Sequence, residues 1–154
     1  MSVKFTQEQI DKSAVSDINE YEFEKKVHRF KMGKVTIGEK TFHCRSSWEC
    51  NVAAYIQFLK ENGQLKEWEY EPHTFWFLKI MRGVRSYKPD FRITRNDGTQ
   101  LYIEVKGYMD PKSATKLKRM KKYHPDVHIQ VIDIVRYTAI AKGKNVYKGW
   151  GQLS

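Results

Sequence analysis

Residues 87–106 read YKPDFRITRNDGTQLYIEVK, and this stretch decides the fold that the sequence predicts. Two strand-like runs are joined by Asn96-Asp97-Gly98, which is typical of a β-hairpin turn. With a three-residue loop, cross-strand partners have numbers that sum to 194, so Asp90 lies opposite Glu104. Their β-carbons would then be roughly 4.5–5.5 Å apart. A two-residue loop would remove this opposition.

Lys106 shares the face of Glu104 because it lies two residues further along the same strand. Opposed carboxylates repel each other unless a proton or a cation lies between them. The pattern therefore predicts that Asp90 and Glu104 bind Mg²⁺, with Lys106 acting on a water molecule or a phosphate. The alternative is a surface hairpin in which Lys106 forms an ion pair with one carboxylate. Spacing alone leaves both interpretations open.

The segments on either side of this hairpin predict a mixed α/β layer fold. Turn, capping and periodicity signals give the following elements: a helix at 17–31, a hairpin of Lys34–Ile37 and Thr41–Cys44, a helix from Ser46 or Ser47 to Glu61, a strand around Trp68–Glu71 with an interrupted continuation at Phe75–Ile80, strands Tyr87–Arg95 and Gln100–Lys106, a helix from Asp110 to Tyr123, and a strand at Val127–Val135. The last strand, helix and strand form a parallel crossover unit. Ala114, Leu117 and Met120 are expected to face the sheet, and Trp76 and Phe77 to pack in the core.

Composition limits the class of protein. The chain has 154 residues, 40% of them hydrophobic, which is enough for one domain with its own core. It has no apolar run of membrane-spanning length and no signal-peptide core at its start. Cys44 and Cys50 fit no zinc pattern, so we expect buried, reduced thiols in an intracellular, cytoplasmic protein.

Positive charge is concentrated in the last third of the chain. The net charge is +10, and residues 106–154 contribute eleven basic and three acidic residues, whereas residues 49–105 are balanced. A nucleic acid is the expected partner. Candidate DNA-binding residues lie on the helix after Asp110 and in the loop before Pro89: Lys112, Lys116, Lys118, Arg119 and Lys122, together with Arg85 and Lys88. A solvated helix face is the ordinary alternative.

Pro89-Asp90, thirteen intervening residues and Glu104-Val105-Lys106 resemble the motif of the PD-(D/E)XK nuclease superfamily. The predicted element order from Ser46 to Val135 is similar to the αβββαβ core of that superfamily, the restriction-endonuclease-like fold. Arg45 to Pro125 looks most like small phage endonucleases and archaeal-type Holliday-junction resolvases. The domain division that follows is an N-terminal extension at 1–44, a nuclease core at 45–136 and a C-terminal tail at 137–154.

The resemblance implies an Mg²⁺-dependent endodeoxyribonuclease, with Mn²⁺ able to substitute. It places Glu49 on the first core helix as a further catalytic and metal-binding residue, although Ser46 and Glu49 also fit a capping box. Glu71 is an additional candidate ligand. Branched DNA of the Holliday-junction type is the favoured substrate, which implies a role in DNA recombination. A homodimer follows from symmetric cleavage, with residues 1–44 as a candidate interface. The resemblance also suggests a phage-encoded protein acting in a host cytoplasm.

Other functions compete with this interpretation. Within the nucleases, a sequence-specific restriction or homing enzyme and a transposase-type endonuclease are the alternatives. In another class, a DNA-binding module could keep the fold without catalysis. Trp150 is expected to pack back on the domain or against a second subunit, and the sequence does not decide between these two.

Overall fold

The structure is a computed structural model that describes residues 32–153. The helix predicted at 17–31 lies outside these residues, as does most of the proposed N-terminal extension. The described chain contains these elements: β1 (Gly33–Ile37), β2 (Lys40–Cys44), α1 (Ser47–Glu61), β3 (Glu67–Tyr70), β4 (Phe75–Trp76), β5 (Ser86–Tyr87), β6 (Phe91–Thr94), β7 (Gln100–Val105), α2 (Pro111–Tyr123), β8 (Ile129–Ile132), α3 (Ile134–Ala141) and a 3₁₀ turn (Lys144–Val146).

The centre of the fold is a mixed four-stranded sheet in the order β3-β6-β7-β8. β3, β6 and β7 are antiparallel neighbours, and β8 pairs with β7 in parallel after the α2 crossover. The protein is therefore of the mixed α/β class, with helices flanking a mixed central sheet. The predicted strand–helix–strand crossover at this end of the chain is confirmed.

The β6–β7 register agrees with the three-residue loop. Phe91 pairs with Ile103 and Thr94 with Gln100, so the partner numbers sum to 194. The Gly98 N–H donates to the Arg95 carbonyl at 2.9 Å, and Gly98 has a φ of +86°, which favours glycine. The turn therefore fixes which side chains of β7 face each side of the sheet.

The two faces of β7 lie in separate apolar clusters. Ile103 and Val105 pack with α1, β3 and the first hairpin, around the fully buried Trp68. Tyr102 faces the other side, where it packs with Phe75, Tyr87 and Met120. Glu104 alternates with Val105 and thus lies on the Tyr102 side of the sheet.

The stretch predicted as one strand from Tyr87 to Arg95 is divided at Pro89-Asp90. Ser86–Tyr87 pairs with Phe75–Trp76 in a separate two-stranded ribbon, and the sheet strand begins only at Phe91. Proline lacks the N–H that continuous pairing would need, so the chain leaves the ribbon at Pro89 and enters the four-stranded sheet at Phe91. Phe77, which follows the first strand of that ribbon, is buried as predicted, but Trp76 is 55% exposed and is not a core residue.

α2 has its predicted bounds and caps. The Asp110 carboxylate accepts a hydrogen bond from the Ser113 N–H at 2.8 Å, and Pro111 occupies the first turn. Met120 and Leu117 pack in the cluster beneath the sheet as predicted, whereas Ala114 is exposed and Ser113 is buried instead. The small Ser113 is buried there because its hydroxyl also donates to Asp110 at 2.9 Å.

The C-terminal residues form packed structure. The strand predicted at Val127–Val135 is shorter, because Asp133 accepts a hydrogen bond from the Arg136 N–H at 2.9 Å and starts α3. This helix crosses the proposed boundary at residue 136. Trp150 packs against Tyr137 within the same chain, with ring centroids 5.7 Å apart. Cys44 and Cys50 are free and buried, as predicted.

Candidate active site

Asp90 and Glu104 lie side by side where the chain passes from the ribbon into the sheet. Asp90 immediately precedes β6, and only 5% of it is exposed. Its Oδ2 accepts a hydrogen bond of 2.7 Å from the Val105 N–H, which ties it to the residue after Glu104. Glu104 Oε2 accepts a hydrogen bond of 3.0 Å from the buried Tyr87 hydroxyl. β7 of the hairpin therefore holds Asp90 in place, and β5 of the ribbon holds Glu104.

Glu49 reaches the same place from the first turn of α1. Its N–H donates to Ser46 Oγ at 3.1 Å, and Ser46 Oγ donates to Glu49 Oε1 at 3.3 Å, so it serves the cap of the helix. Its Oε2 accepts a 2.8 Å hydrogen bond from the Tyr70 hydroxyl on β3. Glu49 is 8% exposed and raises the pKa of Asp90 through charge repulsion. Glu49 therefore both takes part in the cap of α1 and lies close enough to Asp90 to act on its charge.

The carboxylates of Asp90, Glu104 and Glu49 form a cluster whose negative charge the neighbouring groups do not fully neutralise. Burial, followed by repulsion from Glu49 and Glu104, raises the pKa of Asp90 well above its usual value. The Val105 N–H and Arg45 act in the opposite direction and only partly offset this rise. Burial also raises the pKa of Glu104, despite the Tyr87 hydrogen bond and the nearby Lys106 and Lys116. A bound cation would relieve this repulsion.

Glu71 lies at the rim of the cluster with two cationic partners. Arg45 forms an ion pair with Glu71 Oε1, and Lys88 Nζ lies 3.0 Å from Oε2. Arg45 Nη2 is also 3.6 Å from Asp90 Oδ1. The backbone of Glu71 has a φ of +44°, which is unusual for a residue other than glycine, and its N–H donates to the Asp90 carbonyl at 2.7 Å. Such strained backbone is concentrated at functional sites.

Lys106 links the cluster to α2. Its Nζ lies 3.5 Å from Asp110 Oδ2, and its charge partly offsets the rise that burial causes in the pKa of Glu104. Lys116, predicted as a DNA-binding residue, also acts on Glu104 in this way from the second turn of the helix. The first half of α2 therefore directs positive charge toward the carboxylates.

Gly107 follows the motif at a point of close approach. A β-carbon added there would lie 3.1 Å from the Trp48 ring, tighter than ordinary van der Waals contact. The Trp48 ring stacks on Tyr137 at 3.9 Å between centroids, so it has little room to yield. Because Trp48 precedes Glu49, the glycine allows β7 and the start of α1 to approach each other.

The other predicted DNA-binding residues are divided between solvent and the protein. Lys112, Lys118, Lys122 and Arg85 are exposed, and Lys88 is exposed although it pairs with Glu71. Arg119 differs, because its guanidinium donates to the Val84 carbonyl and joins α2 to the loop between β4 and β5.

The donor chemistry of the cluster fits a hard divalent cation. Within residues 32–153, no three His, Cys, Asp or Glu side chains are already arranged closely enough to hold a metal ion. Mg²⁺ commonly takes only one or two protein carboxylates and fills its other positions with water and substrate phosphates. The buried Asp90 and the half-buried Glu104 are two carboxylates of the kind that would suit such an ion.

Three residues of the cluster were not among the predicted site residues: Arg45, Tyr70 and Tyr87. Tyr70 and Tyr87 donate to Glu49 and Glu104, and burial raises the pKa of both phenols, so they stay protonated donors. The alternation of Trp68 and Tyr70 gave the face of Tyr70 but not its partner. The only sequence signal for Arg45 was its position beside Ser46, at the start of a predicted helix. The only signal for Tyr87 was its position three residues before Asp90.

Residues 27–139 match the sequence profile of DUF1064, a protein family of unknown function. The chain belongs to this family. The match spans more than half of the chain and contains every residue of the cluster described above. A comparison with curated proteins finds no match. In the part of the DUF1064 protein that the structure describes, no helix is both long and apolar enough to cross a membrane.

Proposed function

We propose that this protein is an Mg²⁺-dependent endodeoxyribonuclease with a restriction-endonuclease-like αβββαβ core. The observation that carries the proposal is the pairing of the buried Asp90 with the half-buried Glu104: the hairpin register and the hydrogen bond from the Val105 N–H to Asp90 bring their like charges together without full compensation. Keeping such a pair is costly unless a cation or proton binds between them. The described order of α1, β3, β6, β7, α2 and β8 is compatible with this core.

In this proposal Asp90 and Glu104 hold the metal ion, Glu49 assists from α1, and Mn²⁺ can replace Mg²⁺. When bound, the ion supplies Lewis acidity at the phosphate and a source of hydroxide near neutral pH. Tyr87 and Tyr70 orient the ligands by donating to Glu104 and Glu49. Glu71 is held by Arg45 and Lys88 and is an additional candidate for contact with the ion through water.

Lys106 is the proposed catalytic cation. It exchanges its 3.5 Å ion pair with Asp110 for a contact to the attacking water or to a phosphate oxygen. A charge placed there stabilises the extra negative charge that develops on phosphate in the transition state. Hydrolysis adds water across one phosphodiester bond and leaves a phosphate monoester and a hydroxyl group.

DNA is the proposed partner because exposed basic residues on α2 adjoin the cluster. Lys112, Lys118 and Lys122 are solvent-exposed, and Lys116 acts electrostatically on Glu104. Contacts of this kind hold the phosphate backbone without reading bases. We propose branched DNA of the Holliday-junction type as the substrate and a homodimer as the active form, since paired cuts require two sites.

The test is cleavage by the purified full chain. A plasmid, a four-way junction and its matched linear arms are incubated with Mg²⁺, Mn²⁺ or EDTA. We expect metal-dependent cleavage that falls by roughly 100-fold or more in Asp90→Asn and Glu104→Gln. Asp126→Asn is the matched control, because Asp126 is exposed beside the β6–β7 turn, at the other end of the sheet.

Three outcomes would contradict parts of the proposal. Absence of metal-dependent cleavage on all substrates would favour a DNA-binding module without catalysis. Full activity in Asp90→Asn and Glu104→Gln would refute the site. Equal cleavage of the junction and its linear arms would refute selectivity for branched DNA and favour a restriction- or transposase-type endonuclease.

A further inference from the structure

The loop between β4 and β5 exposes large apolar side chains in a strongly basic setting. Leu78 is 88% exposed and Met81 is 77% exposed, close to the half-exposed Trp76. No acidic residue occurs between Pro72 and Pro89. Scattered exposed apolar residues are common, but a cluster on one loop indicates a surface that contacts another molecule.

The base of the loop is fixed to the domain. Phe77 is buried, and its N–H donates to the Arg85 carbonyl at 2.9 Å across the ribbon. Arg119 of α2 donates to the Val84 carbonyl, and the His124 ring lies 3.1 Å from the Trp76 carbonyl. A loop held on both sides in this way keeps its tip in a defined position.

Some side chains of the loop pack against the domain, and others are exposed to solvent. Phe77, Ile80 and Val84 pack in the cluster beneath the ribbon and account for the stability of the loop. Leu78 and Met81 point away from this cluster and are not needed for it. The stability of the domain therefore does not explain why Leu78 and Met81 are large and apolar.

Charge complementarity indicates which molecule the tip meets. Lys79 and Arg82 alternate with the apolar residues at the tip, and Arg85 immediately precedes β5; all three are exposed. Cations beside the tip fit phosphates, but Leu78 and Met81 have no favourable contact with phosphate. Apolar side chains flanked by Lys and Arg are the groups that proteins insert between bases, partly unstacking the step.

The loop leads directly into the carboxylate cluster. β5 ends at Tyr87, whose hydroxyl donates to Glu104, and the next residue, Lys88, pairs with Glu71. A base contacted by the tip would therefore belong to DNA whose backbone passes the cluster. At a branch point bases are already incompletely stacked, so insertion costs less there than within a duplex.

We propose that residues 77–85 form a wedge that inserts Leu78 and Met81 against unstacked bases at a DNA branch point. This inference rests on the proposed function and gives its substrate preference a structural cause. Lys79 and Arg82 hold the flanking phosphates, while the fixed base of the loop sets the distance from the wedge to the carboxylates.

The experiment measures base unstacking in the absence of cleavage. A four-way junction with 2-aminopurine at the branch point, and a linear duplex of the same sequence, are titrated with full-length protein in EDTA. We expect wild-type protein to raise the fluorescence of the junction probe and to bind the junction in preference to the duplex. Leu78→Ser combined with Met81→Ser should abolish the rise and lower the preference by about tenfold, with duplex binding unchanged.

The matched control is Val135→Ser combined with Val146→Ser, which removes two exposed apolar side chains elsewhere on the surface. It should behave like wild type. The wedge is refuted by a wild-type protein that leaves the probe unchanged, or by a Leu78/Met81 variant that keeps the rise. It is also refuted if that variant weakens junction and duplex binding equally, or if it turns a dimer into a monomer in sedimentation.

These readouts do not depend on catalysis. A protein that raises the fluorescence of the junction probe but cuts no DNA would support the wedge and contradict the nuclease. A protein that cuts linear DNA well, without any change at the branch-point probe, would contradict the wedge alone.

Discussion

Asp90 is the residue in which the opposing forces of the site are clearest. A backbone N–H and the more distant Arg45 favour its ionised form, while burial, Glu49 and Glu104 disfavour it more strongly. A carboxylate in such surroundings lowers the stability of the fold at neutral pH. Its retention is understandable if the ionised group has a task such as binding a cation.

We predict that Asp90→Asn is more stable than wild type at pH 7 in EDTA, on the order of 1 kcal/mol. Because the folded state raises the pKa of Asp90 above its ordinary 3.8, folding holds a proton that the unfolded chain releases. Wild-type stability therefore falls as pH rises above about 4, and asparagine, which does not ionise, avoids this loss.

Thermal melts at several pH values measure the difference. The gap between Asp90→Asn and wild type should narrow as pH is lowered toward 4, and Asp126→Asn should follow wild type throughout. A variant that is less stable than wild type at pH 7 would show that the carboxylate makes a net favourable contribution through its hydrogen bond to Val105.

At the scale of the elements, α2 connects the carboxylate cluster to the basic surface. Asp110 caps the helix and accepts the ion pair from Lys106, while Lys121 and Lys122 lie in the last turn, where cations suit the helix dipole. The same carboxylate thus begins the helix and restrains the proposed catalytic lysine.

We predict that Asp110→Ala loses about 1 kcal/mol of stability at pH 7, the usual cost of removing an N-cap. Hydrogen bonds from Ser113 lower the pKa of Asp110 to about 2. A lowered pKa means that the stabilisation is present above the unfolded value of 3.8 and is lost as pH falls from about 4 toward 2.

Urea unfolding of Asp110→Ala, Asp110→Asn and wild type tests this prediction. Asparagine can still accept the Ser113 N–H, so Asp110→Asn should retain most of the capping stability. Equal losses in both variants at pH 7 would show that the charge and its pair with Lys106, rather than the cap, provide the stabilisation.

At the scale of the whole molecule, the net charge of +10 is unevenly spread. The balanced middle of the chain contributes the carboxylates, and the last third contributes eight net positive charges. The crossover brings the basic α2 against the face of the sheet that carries Glu104. Under the proposed function, neighbouring parts of one surface would attract the polyanion and bind the cation.

We predict a steep salt dependence of DNA binding that is specific to α2. Replacing Lys112 and Lys118 by alanine should reduce the slope of log K against log salt by about one to two, since each phosphate contact contributes about 0.9. The matched control replaces Lys142 and Lys144, which are exposed near the C-terminus. Equal slopes for both double variants would indicate general attraction instead of an α2 interface.

The sequence determined much of the hairpin and of α2 because local chemistry specifies them. Asn96-Asp97-Gly98 set the register that brings Asp90 opposite Glu104, and Asp110-Pro111 set the start of α2. Turns and caps depend on a few adjacent residues, so a single sequence contains the necessary information.

Features that depend on distant parts of the chain were predicted less well. Tyr87 looked like the first residue of a sheet strand, yet it pairs with Phe75 and donates to Glu104. Arg119 looked like a free cation, yet it donates to Val84 across 35 positions of sequence. Periodicity shows that a residue is on a face, but not which partner occupies the space beside it.

By itself, the sequence predicted the central hairpin and, for a three-residue loop, the opposition of two carboxylates, and the observed register agrees with that loop. Only the tertiary structure decided how they are surrounded: Glu49 from α1, Tyr70 from β3, Tyr87 from the ribbon and Arg45 before the helix. The physical reason is that register follows from a turn of a few residues. Burial and charge repulsion depend on which distant elements pack together.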